Sequence, residues 1–303
     1  RIPAAFCGTV GHKPSGGLLP LTGHQPAPLG DSQFLVAGPL CRRVEDVMPL
    51  LRILAGPDGI DATCEALPLG DPDSVDLSRV RVYSLPGGGP LRLAEVMQEA
   101  VEASVLALHE RGASTFALDA KLLRGGFLMW MAAIQGAASF DYAEVLSDGA
   151  GIEIGRELLR LPLGRSRYVL PSLVTVAAER LLRFLPQAVS DNDRHLSRLA
   201  RLRETLDELL GDDGVLIYPP YTRPAPRHHL ALLTPFDGAC TALWNVLGYP
   251  STVVPLGFAE NGLPVAVQVV ARRGQDHLTL AVAAALEQRY GGWVRAEPAP
   301  RPN

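Results

Sequence analysis

The residues that could carry chemistry are scattered along the chain, and none of them stands in a known catalytic spacing. Seven histidines occur among 303 residues. His228 and His229 are adjacent, so in a strand their side chains would face opposite sides. His12 and Lys13 form a pair in a stretch rich in Gly and Pro, which is more typical of a structural than of a catalytic position. GxSxG, HExxH, Walker and GxGxxG motifs are absent from the sequence. We therefore expect no metal site and no cofactor.

Serine and carboxylate residues do not add a catalytic constellation. Ser15 lies between Pro14 and Gly16, which indicates a turn residue. Asp237 and Asp276 are isolated carboxylates without an evident partner, so the sequence does not predict a general acid and base pair. A Ser–His–Asp triad stays open, because many serines are present and nothing marks one of them as a nucleophile. On chemistry alone, the sequence indicates an α/β domain of unknown function.

Composition narrows the class of protein. The chain is 47% hydrophobic and 20% charged, with a formal net charge of −4. These values are ordinary for globular domains and give no basic surface for nucleic acid. None of the four cysteines belongs to a CxxC pair, which favours a reduced intracellular compartment. No run of about 18 apolar residues predicts a transmembrane helix.

Hydrophobic periodicity predicts the elements that must position these residues. Residues 1–40 predict loops and short strands rather than a helix. Strands are expected at 80–85, 114–118, 215–218, 252–256 and 265–271. Helices are expected at 42–55, 91–111, 121–135, 173–210 (broken near Pro186), 239–247 and 278–290. The order strand, helix, strand over 80–118 predicts a parallel pair with a right-handed crossover. The pattern as a whole predicts an α/β fold with a mostly parallel or mixed central sheet.

Three segments, taken together and in order, resemble the amidase-signature family. They are RIPAAFCGTVGHKPS at 1–15, GPLCR with VED at 38–46, and NVLGYP at 245–250 followed by PLG at 255–257 and GLPVAVQ at 262–268. Finer features are similar to the fatty-acid amide hydrolases within this family. They are GHKPS at 11–15, GDDGV at 211–215, and DHLTLAV at 276–282 followed by GGW at 291–293.

The resemblance implies a fold and an activity. The fold is a mixed central sheet covered by helices on both faces. Residues 1–296 would form the C-terminal portion of a single amidase domain, followed by a disordered, Pro-rich tail at 297–303. The activity is hydrolysis of an amide through an acyl-enzyme, carried by a Lys, a cis-Ser and a Ser nucleophile. In the family's motif all three precede the arginine that Arg1 matches, which stands two positions after the nucleophile. No catalytic residue is therefore assigned here, and the chain alone is expected to be inactive.

The resemblance also implies substrates and a location. The substrates would be lipid amides, namely N-acylethanolamines and primary fatty-acid amides. The complete protein is expected to be intracellular and associated with a membrane through an N-terminal anchor that lies outside this chain. A homodimer is one expected assembly, and nucleic acid is not an expected partner.

Five residues are candidates for the site. By resemblance, Arg1 holds the nucleophile loop in shape, and we expect a carboxylate or backbone carbonyls as its partners. The side chains of Phe127, Trp130 and Met131 follow one side of a predicted helix. They form either helix core or a wall of an acyl channel, and Trp244 has the same two interpretations. A deep apolar wall suits a lipid chain, because burial contributes about 0.8 kcal/mol per CH₂.

Two other functions stay open. The chain could belong to another amidase-signature hydrolase, or to an amidotransferase A subunit, that acts on small polar amides. It could also be a truncated α/β protein without catalytic activity that serves as a binding module. Turnover of lipophilic amides by the complete protein distinguishes the first interpretation from these two.

Overall fold

A mixed β-sheet forms the centre of the molecule. The computed structural model describes residues 1–24, 34–137, 143, 146–147, 149–183, 192–228 and 230–296. Within these residues the strands are β1 (Val10–Lys13), β2 (Leu40–Cys41), β3 (Arg81–Ser84), β4 (Ser114–Ala117), β5 (Gly214–Tyr218), β6 (Ser251–Phe258) and β7 (Pro264–Ala271). They form one seven-stranded sheet in the order β2-β1-β6-β7-β5-β3-β4. The predicted α/β fold with a mixed central sheet is confirmed.

Helices of the described residues follow the strands along the chain. They are α1 (Ile2–Cys7), α2 (Val47–Leu54), α3 (Glu95–Glu110), α4 (Gly126–Ala137), α5 (Ile154–Arg160), α6 (Leu170–Arg183), α7 (Asn192–Leu210), α8 (Ala239–Val246) and α9 (Asp276–Tyr290). Strand β3 pairs in parallel with β4 and with β5, and the remaining pairs are antiparallel. Since α3 connects β3 to β4, the predicted parallel pair is confirmed.

The two faces of the sheet bury two different cores. In β5, Val215 and Ile217 pack into one core, while Leu216 and Tyr218 pack into the other. This alternation is what a strand covered on both faces requires. Helices α2, α3 and α9 cover the first face, and α4, α7 and α8 cover the second. Helix α1 also lies on the second face, where its alanines contact β6 and β7.

The expectation of loops and short strands over residues 1–40 is wrong at Ile2–Cys7, which form α1. Pro3 stands at the start of this helix, where a missing N–H costs no hydrogen bond. Gly8 ends the helix in the left-handed region, with φ 63°, a conformation that glycine adopts without steric cost. The segment is therefore one short helix rather than a loop.

Other predicted elements are confirmed with shifted ends. The helical region predicted over 173–210, with a break near Pro186, contains the two helices α6 and α7, and Pro186 itself lies outside the described residues. The tail at 297–303 also lies outside them. No helix in the described part of the chain combines the length and the apolar character needed to cross a bilayer.

A close backbone approach fixes the edge of the sheet beside β1. The carbonyl oxygen of Pro39 accepts a hydrogen bond from His12 N at 3.1 Å. A Cβ at Gly38 would lie 2.8 Å from Pro14 Cδ and would also collide with the carbonyl oxygen of His12. Glycine is therefore required at position 38 for the chain to pass this close to β1.

We predict that Gly38→Ala lowers the free energy of unfolding by about 1–3 kcal/mol, the usual cost of overpacking. Gly155→Ala is the matched control, because a Cβ at this helical glycine meets no atom within 4 Å. Alanine in a helix should leave stability unchanged or raise it. Urea unfolding of both variants checks this, and equal midpoints for Gly38→Ala and the parent chain would contradict it.

Candidate functional site

The side-chain amide of Gln268 binds groups from four other segments of the polypeptide, next to the start of α1. Its Nε2 donates to the carbonyl oxygens of Pro219, at 2.8 Å, and Cys240, at 3.0 Å. Its Oε1 accepts from Ser251 Oγ at 2.9 Å and from Arg1 at 3.4 Å. The amide thus makes all four hydrogen bonds that its chemistry allows. Since Gln268 is fully buried, each lost bond would leave a desolvated polar atom.

Arg1 is held by amide groups, which differs from the expected carboxylate or backbone carbonyls. Its guanidinium donates to Gln268 Oε1 and, through a short contact, to Asn245 Oδ1. Gln268 lies on β7 and Asn245 on α8, so the arginine ties the start of α1 to both elements. Among the described residues, no carboxylate lies within salt-bridge distance of Arg1. Its charge is therefore not neutralised by these contacts.

A second buried polar network links β1 to the start of α9. Asp276 Oδ1 accepts from Ser15 N at 2.8 Å and lies 3.2 Å from His12 Nε2, and Asp276 Oδ2 accepts from Ser15 Oγ at 2.5 Å. The expectation that Asp276 is isolated is therefore wrong. Ser15 is more than a turn residue, because its hydroxyl also accepts from Gly274 N at 2.7 Å. This contact is difficult to predict, because it is buried and because Ser15 and Asp276 lie far apart in the sequence.

The ring of His12 is held at both nitrogens. Its Nε2 lies 3.2 Å from Asp276 Oδ1 and donates to it, since a carboxylate oxygen only accepts. Its Nδ1 lies 2.9 Å from Thr252 Oγ1. The Thr252 hydroxyl lies 2.8 Å from Thr279 Oγ1, which donates to the carbonyl oxygen of Asp276, also at 2.8 Å. The network thus runs from the histidine ring to the first turn of α9.

The same network cannot act as a serine triad. In a triad the imidazole stands between the serine and the carboxylate and takes the serine proton. Here the carboxylate of Asp276 stands between Ser15 and His12, so the imidazole does not receive the proton of the Ser15 hydroxyl. The arrangement clamps β1 to α9 and does not activate a nucleophile. Asp237 also has a partner, since Arg223 lies 2.9 Å from its carboxylate.

Lys13 is buried beside these groups. Its Nζ donates to the carbonyl oxygen of Pro14 at 2.7 Å. Burial, followed by the nearby charge of Arg1, lowers the pKa of Lys13 from 10.5 to about 7, although Asp276 acts in the opposite direction. A desolvated amine is expected to behave in this way.

An apolar cavity of about 170 Å³ lies on the second face of the sheet. Phe127 and Trp244 both line it, together with Tyr218, Cys240 and Leu243. Trp244 is fully buried, and its indole Nε1 has no hydrogen-bond acceptor among the described residues. The structure therefore brings two candidate residues from α4 and α8 to one cavity.

The other two candidates from α4, Trp130 and Met131, do not line this cavity. The Trp130 ring packs against Phe127, with 5.4 Å between ring centroids, and against the second core. Met131 is half-buried and is not among the cavity-lining residues. The most buried residue of α4 is instead Met129. Phe127, Trp130 and Met131 therefore lie beside the most buried face of α4 rather than on it.

The described residues offer no metal centre, because no group of three or more His, Cys, Asp or Glu side chains converges among them. Sequence reasoning missed Gln268 and Asp276 as organising residues. A signal for Gln268 was present, since a single amide interrupts the apolar run of β7. A polar side chain inside a strand covered on both faces must find partners.

We predict that Asp276→Asn lowers the free energy of unfolding by about 3 kcal/mol, because an amide cannot accept all the bonds that the carboxylate accepts. Asp212→Asn is the control, since this exposed carboxylate pairs with Arg272 at 2.6 Å. Exposed pairs contribute about 1 kcal/mol or less. Urea unfolding at pH 7 checks the difference, and equal losses for the two variants would contradict a buried clamp.

We also predict that Lys13→Met raises the free energy of unfolding, and that the size of this increase depends on pH. The folded-state pKa of Lys13, about 7, lies below the ordinary value of 10.5. Between pH 7 and pH 10.5 the unfolded chain therefore binds more protons than the folded chain. The free energy of unfolding of the parent chain falls as the pH is lowered through this range. Lys13→Met should stabilise the chain at pH 6 by at least about 1 kcal/mol more than at pH 9, since one pKa unit corresponds to about 1.4 kcal/mol.

The exposed Lys121 provides the control for this measurement, since these are the two lysines of the sequence. Lys121→Met should show no difference between the two pH values. A gain for Lys13→Met that is the same at pH 6 and pH 9 would show that burial does not perturb this amine.

Known proteins are similar in sequence to this chain over nearly its whole length. Fatty-acid amide hydrolase 2 of Homo sapiens is 37% identical over 309 residues, which cover 97% of this chain and 56% of the relative. The glutamyl-tRNA(Gln) amidotransferase A subunit of Synechococcus sp. (strain JA-2-3B'a(2-13)) is 28% identical over 318 residues, covering 100% of this chain and 60% of the relative. The chain thus spans little more than half the length of these proteins.

A solved structure has the same fold. The crystal structure of the glutamyl-tRNA(Gln) amidotransferase A subunit from Thermotoga maritima superposes with a TM-score of 0.70 at 22% identity, covering 96% of this chain and 61% of that one. The amidase family itself matches residues 1–280. The motifs at both ends of the chain, the mixed sheet that joins them and this match agree, and the chain belongs to the amidase family.

Proposed function

We propose that the complete protein is an amide hydrolase that cleaves fatty-acid amides, and that residues 1–296 are the C-terminal portion of its amidase domain. The observation that carries the proposal is the 37% identity to fatty-acid amide hydrolase 2, which extends over 97% of this chain. An amidase of this class forms an acyl-enzyme. The serine oxygen bonds to the carbonyl carbon, the amine leaves with a proton, and water then releases the fatty acid.

In this proposal the nucleophilic serine stands two positions before Arg1, as the family's motif implies. Arg1 then acts as a positioning residue. Its bonds to Gln268 and Asn245 anchor the nucleophile loop to the sheet and to α8. Loop placement matters, because a displacement of about 1 Å can cost on the order of 100-fold in rate. A buried, fully bonded anchor such as Gln268 provides this rigidity.

The apolar cavity is proposed as part of the acyl wall. Phe127 and Trp244 line it, and the Trp130 ring packs against the Phe127 ring. Phe236 also packs edge-on against Phe127, with 5.1 Å between centroids. Such a surface favours a lipid chain over a small polar amide. Met131 is proposed only as a neighbour of this wall.

A second candidate function has one supporting observation. The 28% identity to an amidotransferase A subunit covers the whole chain, so a small polar amide is the alternative substrate. The apolar character of the cavity favours the lipid amide. Substrate preference of the complete protein decides between the two.

We predict that Phe127→Ala in the complete protein lowers kcat/KM for a long-chain primary fatty amide by at least about 10-fold. This value follows from the roughly 1.5–3 kcal/mol that burial of one large apolar side chain contributes. Activity toward acetamide should change by less than about 2-fold, since a two-carbon amide buries little apolar surface. Steady-state kinetics with both amides gives the two values.

Phe258→Ala is the matched control, because Phe258 is an exposed aromatic residue on β6, away from the cavity. It should leave both activities unchanged. Equal losses on the long and the short amide for Phe127→Ala would contradict the acyl wall. Turnover of small polar amides alone would replace the lipid assignment with the second candidate.

A further inference from the structure

The loop that connects β3 to α3 forms one wall of the apolar cavity. Within this loop, which covers residues 86–92, Pro90 and Leu91 line the cavity. Pro90 is exposed and Leu91 is half-buried, so a single layer of chain closes the cavity on this side. The opposite walls come from β5, α4 and α8, and their lining side chains contribute to the second core.

Both ends of the loop 86–92 are anchored. Leu85 before it is buried in the second core, and Leu93 after it is buried in the first. The amide of Ala94 also donates to the carbonyl oxygen of Thr222 at 2.8 Å. A movement of this wall would therefore be confined to residues 86–92 and would leave both cores in place.

A run of three glycines gives the loop its conformation. Gly87, Gly88 and Gly89 all have positive φ, of 64°, 81° and 72°. Residues other than glycine seldom adopt such values. Glycine populates positive and negative φ about equally well, so this run can change its conformation at little steric cost, as a hinge must.

A side chain of the central sheet ties the loop to the cavity. Tyr218 Oη donates to the carbonyl oxygen of Gly88 at 3.2 Å. Burial raises the pKa of Tyr218, so the phenol keeps its proton at pH 7 and remains a donor. The Tyr218 ring also lines the cavity and packs edge-on against Trp244, with 5.9 Å between ring centroids. Tyr218 thus contacts the loop and the cavity at once.

The size of the cavity indicates that a wall must move for a long ligand. The space between these walls is about 170 Å³, whereas pockets for drug-sized ligands usually measure about 300–1,000 Å³. Helix α8 cannot provide more room, because its lining side chains Cys240, Leu243 and Trp244 are buried in the second core and cores are close-packed. The loop 86–92 can provide it, because both of its ends stay anchored when its middle moves outward.

We propose that the loop 86–92 is a gate of the apolar cavity, with the glycines 87–89 as its hinge and the Tyr218 hydroxyl as the latch that keeps it closed. This inference rests on the proposed function, in which the cavity binds an acyl chain. A long chain displaces Pro90 and Leu91, and a short chain fits without this movement. Tyr218 therefore acts on chain-length specificity, because the latch lowers the apparent affinity for chains that require the open loop.

The test is Tyr218→Phe in the complete protein, which removes the latch and keeps the ring. The open fraction of the loop should rise, so kcat/KM for octadecanamide should increase by about 2- to 10-fold, the effect of one neutral hydrogen bond. The value for butanamide should stay within about 2-fold of the parent value, since a short chain does not require the open loop.

Tyr290→Phe is the matched control for this variant. Its hydroxyl also donates to a backbone carbonyl oxygen, that of Ala103 at 2.9 Å, and its ring packs against the first core, away from the cavity. This variant should change neither kcat/KM value. A general effect of losing a phenol hydroxyl would change both values in the two variants alike, and would overturn the specific role of Tyr218.

Hydrogen exchange of the complete protein tests the movement without catalysis. The amides of residues 86–92 should exchange about 2- to 10-fold faster in Tyr218→Phe than in the parent protein, while those of β5 stay unchanged. A second measurement needs no variant. Octadecanoic acid should raise the exchange of residues 86–92 in the parent protein, because a long chain displaces the loop, and butanoic acid should not.

The failure of the gate and the failure of the proposed function are distinguishable. If octadecanamide is hydrolysed and Tyr218→Phe leaves its kcat/KM relative to butanamide unchanged, the gate is overturned and the proposed function stands. Unchanged exchange of residues 86–92 in both exchange experiments also overturns the gate. If the complete protein hydrolyses no fatty amide, the proposed function fails, and the exchange experiments alone decide on the gate.

Discussion

The fully bonded amide of Gln268 is the interaction on which this part of the fold depends. A strand covered on both faces cannot bury a polar side chain unless every donor and acceptor finds a partner. Gln268 meets this condition by drawing Ser251, Pro219, Cys240 and Arg1 to one point. The end of β5, the start of β6, the start of α8 and the residue before α1 are therefore fixed relative to one another.

A buried carboxylate performs the same task on the other side of β1. Asp276 binds the turn at Ser15 and the ring of His12, and Gly38 lets the neighbouring chain approach closely. Strand β1 is thereby held from β6, from α9 and from the segment before β2. Two polar anchors, rather than apolar packing alone, set the position of the residues that precede and follow α1. Both cost stability if a single partner is lost.

Most of the architecture could be predicted from the sequence, because burial on two faces leaves continuous apolar strands and helices have a clear period. Helix α1 could not, since six residues with a proline give no period to detect. The family could be inferred from motifs at positions 1–15 and 245–268. The partners of Arg1 and Asp276 could not, because they are more than 240 residues away in sequence, and one sequence does not encode which distant groups meet.

We propose that this chain positions a serine located two residues before Arg1, and trapping of the acyl-enzyme would identify that serine. The complete protein would be mixed with a long-chain fatty amide, quenched in acid, digested and examined by mass spectrometry. We expect an acyl group on the peptide that contains that serine, and no adduct after its replacement by alanine. Consumption of the amide with an acyl group on another residue, or with unchanged activity in the alanine variant, would show that this serine is not the nucleophile.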